Sequence, residues 1–243
     1  MPLPPSVIDT IKTSLNALAD PADAAALQRF FKTGKGQYGE GDRFLGIRVP
    51  RLRALVKQFR PVSLPVAASL LNSAWHEERL LGLLFLVDSF SRGSETQQKS
   101  IVSLYLSHTS AVNNWDLVDL SAPYITGPYY FSRPRKPLYS LAHSSSMWER
   151  RIAIVSTFYW IRHDDFQDTL DIAAILLDDC EDLIHKAVGW MLREVGKRDQ
   201  SLLESFLKQH YHSLPRTTLR YAIERFPEPL RQAYLKGTFT QHQ

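Results

Sequence analysis

The sequence predicts an all-α chain built as a solenoid of two-helix repeats. Apolar residues recur at three- and four-residue steps through most of its length, and the longer segments repeat one another at near-constant spacing. No stretch of alternating apolar and polar residues competes as a β-strand.

Helical periodicity runs through Val7 to Leu18, Ala24 to Phe31, Leu52 to Phe59, Glu78 to Phe90, Gln97 to Leu106 and Arg150 to Ile161. It continues through Phe166 to Leu177, Leu183 to Val195, Ser201 to Lys208 and Thr217 to Phe226, with Pro, Ser, Asp or Asn between segments. Two stretches break the pattern and are expected to be long loops. Gly34 to Gly46 is rich in glycine, and Thr126 to Pro137 holds three prolines with Arg133, Arg135 and Lys136.

At 243 residues and 44% hydrophobic content, the chain is expected to bury its core as a single domain over residues 1–243, with the terminal few residues flexible. Lys and Arg exceed Asp and Glu by 29 to 25, a mild bias towards a polyanionic partner. The lone Cys180 excludes an intramolecular disulfide framework and is expected to be a small, partly buried apolar residue. The N-terminus lacks the pattern of a secretory signal, and no run approaches the ~20 apolar residues of a membrane span, so a cytoplasmic location is expected. The longest apolar run, Leu80 to Val87, reads as a buried helix face.

The segments ERLLGLLFLV, WDLVDLSAPY, RRIAIVSTFY and HKAVGWMLRE look like one element repeated. Aligning Arg79, Trp115, Arg151 and Lys186 gives steps of 36, 36 and 35 residues, and 34 more reaches Arg220. Such a period suits a pair of helices with their turns. Four of the five aligned positions are cations, a row suited to a phosphate backbone if it lines one face. One helical turn further on stand Leu83, Asp119, Val155, Trp190 and Glu224, which makes Asp119 the neighbour of Trp115.

Two tryptophans and a carboxylate on a basic face suit a ligand with an anionic backbone and a cation beside it. A purine alkylated at N3 or N7 is positively charged and already a good leaving group. A carboxylate would then stabilise the oxocarbenium-like sugar and orient water, and an indole face would hold the cation by about 0.5–2 kcal/mol. Taken singly, each tryptophan is more often a packing residue and Asp119 a solvated carboxylate. The acidic run Asp178 to Asp182 reads as capping and a turn, and Arg162 to Asp165 likewise. No HExxH, CxxC, Walker or dinucleotide motif is present, so neither metal nor cofactor is expected.

NNWDLVDLSAP at Asn113 to Pro123, WERRIAIV at Trp148 to Val155 and HKAVGWMLREVGK at His185 to Lys197 together resemble the AlkD family of DNA alkylation repair glycosylases. FLGIRVPRLRAL at Phe44 to Leu55 is similar to that family's N-terminal signature, and the resemblance extends from about Leu27 to Phe226. It implies a superhelix of HEAT-like repeats with a concave basic face. The implied reaction is hydrolysis of the N-glycosidic bond of positively charged N3- and N7-alkylated purines, without drawing the base into a tight pocket. The family's catalytic aspartate falls on Asp119, its cleft tryptophans on Trp115 and Trp190, and its cleft arginine on Arg151. Arg48, Pro50 and Arg53 fall in the segment that approaches the duplex, with Lys186, Arg193, Arg216 and Arg220 as further backbone contacts. A family tyrosine falls on Phe30, so its hydroxyl is lost or supplied by Tyr38. The glycine-rich loop and the Pro-rich FSRPRKP segment would each be a DNA contact or a plain connector.

The expected partner is therefore duplex DNA containing alkylated bases, bound by a monomer that associates with the nucleoid. Two other readings are a non-catalytic HEAT-repeat binder of damaged or branched DNA and a protein-binding scaffold. Retention of Trp115, Asp119 and Trp190 favours the enzyme over the first, and the Arg and Lys row opposes the second.

Overall fold

The structure is a computed structural model that describes residues 6–239. Those residues are all-α: no strand forms among them, and one isolated parallel bridge joins Arg43 to Trp75. The expected flexibility of the termini falls outside the described residues. The chain divides into two compact units, Met1–Ile125 and Thr126–Gln243.

In the first unit, α1 (Val7–Leu18) opens on a capping box in which Ser6 and Asp9 satisfy each other's backbone N–H, and it buries Ile11 and Leu15 one turn apart. Asp20 caps α2 (Pro21–Phe30). The glycine-rich stretch is a loop as expected, with Gly36, Gly41 and Gly46 at positive φ. At Gly46 only glycine fits, because a Cβ there would lie 2.1 Å from the Asp20 carbonyl oxygen. Then come α3 (Val49–Phe59), α4 (Leu64–Leu71), α5 (His76–Arg92), α6 (Glu95–Ser107) and the single turn α7 (Trp115–Asp119). Helix α5 is the axis of this unit. Leu80 to Leu86 are buried on every side, against α3, α4, α6 and α7.

The second unit contains α8 (Thr126–Phe131), α9 (Lys136–Ala142), α10 (Met147–Ser156), α11 (Phe158–Ile161), α12 (Gln167–Ile175), α13 (Asp182–Gly196), α14 (Gln200–His210), α15 (Arg216–Ala222) and α16 (Glu228–Lys236). Helix α13 is its centre, burying Ile184, Ala187, Val188, Met191, Leu192 and Val195 against α10, α12, α14 and α15. Arg151, Lys186 and Arg220 each occupy the fifth position of their helix, so the aligned register holds across α10, α13 and α15.

Three expectations are corrected. Thr126 to Pro137 is two short helices rather than a loop, because Pro128 and Pro137 sit in first turns, where the N–H that proline lacks has no helical partner anyway. Arg135 is consequently packed, paired with Asp165 and Asp168 and lying 4.2 Å over the Trp160 ring. The segment Arg150 to Ile161 is broken at Thr157 into α10 and α11. Cys180 is exposed, since it sits in the acidic turn before α13 instead of on a helix face. Sequence periodicity also passed over α4, α9 and α16, which are short or rich in small and polar residues.

A close crossing beside Trp190 sets the position of α13. A Cβ at Gly189 would stand 2.5 Å from the Tyr221 Cβ and 2.7 Å from the Thr218 carbonyl oxygen. Gly189→Ala is therefore expected to force α15 away and to lower stability by about 1–3 kcal/mol, read as a fall in Tm. An unchanged Tm would contradict this crossing.

Candidate functional site

Asn114, fully buried, caps the first residue of α7 by accepting from the Trp115 backbone N–H at 2.8 Å. At the other end Ser121 donates to the Leu117 carbonyl and is itself joined to the Tyr105 hydroxyl at 2.9 Å. Trp115 begins this single turn and Asp119 ends it, so both side chains share a face. Both line one cavity of about 540 Å³, together with Phe30, Phe31, Phe44, Ile47, Arg48 and His76.

The cavity is largely aromatic. Phe31 stacks on the Trp115 indole with ring centres 5.2 Å apart, Phe44 stacks on Phe31 at 5.0 Å, and the His76 ring lies 4.4 Å from Phe44. Phe30 meets Trp115 edge-on at 5.9 Å and is 63% exposed, so this phenyl ring stands at the surface where a polar residue would be ordinary. Tyr38 donates its hydroxyl to the Phe30 carbonyl, 3.4 Å away.

Beside the rings lies a sealed set of charges. The two nitrogens of His76 each lie 2.8 Å from a carboxylate oxygen, Nδ1 from Asp42 and Nε2 from Asp116. Arg79 donates to Asp42 at 2.7 Å and to Asn113 and the carbonyls of Ser73 and Ala111. Burial opposes a charge on His76, but the hydrogen bonds and negative charges of Asp116 and Asp42 overcome it and push its pKa up to about 9. Burial likewise opposes ionisation of Asp42, and His76 and Arg79 nonetheless hold its carboxyl below the usual value. One residue along α5, the Glu77 carboxylate accepts the backbone N–H groups of Leu45, Gly46 and Ile47 at 2.8, 2.8 and 3.1 Å. Of these residues the sequence pattern singles out Arg79, as a surface cation, and passes over Asp42, His76, Glu77 and Asp116. The available signal was the cluster HEER at the start of an otherwise apolar helix, whose charges need buried partners.

A family model for DNA alkylation repair enzymes matches residues 11–226, a span that takes in most of both units. The chain belongs to the DNA alkylation repair enzyme family. Repair of alkylated DNA is thus its role and DNA its partner. A solved structure described as a predicted DNA alkylation repair enzyme from Enterococcus faecalis has the same fold, with a TM-score of 0.66 at 17% identity over 86% of this chain and 97% of that one. No curated protein matches the sequence. No helix among the described residues is long and apolar enough to cross a membrane, and no group of three or more His, Cys, Asp or Glu among them is placed to hold a metal.

In this repair enzyme Trp115, Asp119 and Arg48 come together at the cavity, while Pro50 lies in the first turn of α3 and Arg53 is exposed on that helix. Arg48 is paired with Asp23 at 2.5 Å. The other predicted residues belong to the second unit. Trp190 is half-buried and tilted against Phe158 at 5.6 Å. Lys186 pairs with Asp182, Arg193 with Glu224 and Glu194, and Arg216 donates to the Leu235 carbonyl. Among the described residues Arg53 and Arg220 have no ion-pair partner, and both are exposed.

The expected row of solvent-facing cations is corrected at two positions. Arg79 is 5% exposed and saturated by protein acceptors, and Arg151 is also 5% exposed and donates to the Leu183 carbonyl at 2.6 Å. An arginine in an apolar repeat reaches for carbonyls and carboxylates of its own chain when these lie nearer than solvent.

Glu77→Ala would leave three buried N–H groups without an acceptor, at about 1–3 kcal/mol each. The expected result is a loss of about 3 kcal/mol or more in chemical unfolding, with faster hydrogen exchange at residues 45–47. Wild-type exchange there would contradict the clamp.

Proposed function

We propose that this family member is a DNA glycosylase that hydrolyses the N-glycosidic bond of positively charged N3- and N7-alkylated purines in duplex DNA and leaves an abasic site. The observation that carries this reading is the pairing of Asp119 with Trp115 on one face of α7, both lining one aromatic cavity.

In the reaction the C1′–N bond breaks and its electron pair passes to the base, cancelling the positive charge that alkylation placed there. The sugar becomes an oxocarbenium ion beside the Asp119 carboxylate, which stabilises it and orients water. Water adds to C1′ and gives up a proton. The base needs to carry its own charge, because the imidazole nearest the cavity has both nitrogens committed to Asp42 and Asp116 and is not free to protonate a leaving group. Trp115, already stacked on Phe31, offers its remaining indole surface to the cationic nucleotide.

Trp190 is assigned the second indole contact and Arg151 the cleft arginine, a role that requires its bond to the Leu183 carbonyl to be exchanged for one to the ligand. The lesion is read without being drawn into a tight pocket. Arg48, Pro50 and Arg53 approach the duplex, and Lys186, Arg193, Arg216 and Arg220 contact its backbone. The two unpaired cations, Arg53 and Arg220, can meet phosphate directly, whereas Arg48, Lys186 and Arg193 exchange a carboxylate for a phosphate.

Asp119→Asn removes charge at nearly constant shape. Release of methylated purine from alkylated duplex is expected to fall by on the order of 10²–10³, with duplex affinity unchanged. Equal release by the variant would remove Asp119 from catalysis, and binding without release by the wild type would make the protein a non-catalytic damage binder. Arg53→Ala is expected to weaken binding to all duplexes and to reduce the salt slope by about 1. An unchanged slope would place Arg53 away from DNA.

A further inference from the structure

The sealed charges beside the cavity take no part in the chemistry above, yet they touch the helix that carries it. Asp116 is the residue after Trp115 and three before Asp119, and it is among the residues around the cavity. Left uncompensated, it would stand one turn of helix from Asp119 as a rival negative charge for the cation. His76 lies 2.8 Å from Asp116 on one side and 2.8 Å from Asp42 on the other. Its ring also ends the stack that runs through Phe44 and Phe31 to Trp115. Thus α7 is held through two routes, a charge contact to Asp116 and a row of rings to Trp115.

We infer that His76 is a positioning residue for the glycosylase reaction, an imidazolium that locks α7 to the glycine-rich loop and neutralises Asp116 so that Asp119 carries the charge presented to the lesion. This rests on the glycosylase reading of the site. The charged and titratable groups around the ring are Asp42 from the loop, Asp116 from α7, and Arg79 and Glu77 from its own helix, with Asp119 and Arg48 across the cavity. Phe31 and Phe44 are the neutral walls. Two carboxylates, Asp42 and Asp116, are matched by two cations, His76 and Arg79, so the set is balanced only while the ring is protonated. A pKa of about 9 keeps it so at neutral pH.

The sign of the effect follows. The folded pKa lies above the ordinary histidine value near 6.5, so the stabilising and positioning contribution is complete below about pH 6.5 and is lost as pH rises through about 9.

The test uses the full chain and single-turnover release from alkylated duplex between about pH 6 and 9.5, with undamaged-duplex affinity measured alongside. Wild-type release is expected to fall as pH passes about 9. His76→Gln should release base on the order of 10- to 100-fold more slowly, bind undamaged duplex as tightly as wild type, and lack the fall near pH 9. Asp116→Asn, which removes one anionic partner, should move that fall to lower pH. A His76→Gln variant with the wild-type rate and profile would overturn the inference. Ring nitrogen NMR of the wild type needs no substitution: both His76 nitrogens should be protonated at neutral pH, and a neutral ring would overturn the inference even if the variants fail to fold. If the wild type releases no base at any pH, the glycosylase reading fails by itself, while the ring spectrum still decides the charge state.

Discussion

A charge shut away from water has to be matched by other groups of the protein, and at the start of α5 this requirement organises the first unit. His76 and Arg79 draw Asp42 out of the glycine-rich loop, Glu77 takes up three backbone N–H groups further along that loop, and Asp116 brings in α7. A loop with several positive-φ glycines would otherwise have little reason to adopt one conformation. Once it is fixed, Phe44 is delivered against Phe31, and the stack reaching Trp115 follows. The aromatic cavity is therefore a by-product of charge matching as much as of apolar burial.

That arrangement also separates the roles of two carboxylates on one turn of helix. Asp116 is buried and bound to His76, a structural anion. Asp119 is half-buried at the cavity, where its charge also helps burial to keep the Tyr105 phenol protonated. Environment rather than residue type divides the work, as with other paired carboxylates whose surroundings differ. In the second unit the constraint is steric: Gly189 admits the Tyr221 Cβ and the Thr218 backbone at a distance no larger residue allows, and Trp190 is the next residue along the helix.

Much of this was legible in the sequence because local rules and tertiary packing agree. The 3.6-residue period placed α1 at Val7–Leu18, where apolar spacing and a capping box point the same way. The pairing of Trp115 with Asp119 follows from four-residue spacing alone, and both do line one cavity. Other features depend on partners remote in sequence. Arg79 fits the register of a surface cation, but Asp42, Asn113 and two carbonyls claim it, and no spacing rule reveals an acceptor more than thirty residues away. His76 is hidden for the same reason, its two carboxylates lying 34 and 40 residues along the chain. The prolines of Thr126 to Pro137 suggest breakers in sequence, although proline in a first turn is compatible with helix.

Repair of alkylated DNA can proceed by removing the damaged base or by restoring it, and the reaction proposed for Asp119 is removal. The most direct measurement is the fate of base and water when wild-type protein acts on methylated duplex in isotopically labelled water, with products resolved by mass spectrometry. Base removal yields free methylpurine with its methyl group intact and the label in the hydroxyl at C1′ of the abasic sugar. Loss of the methyl group from a base that stays in the strand would contradict it.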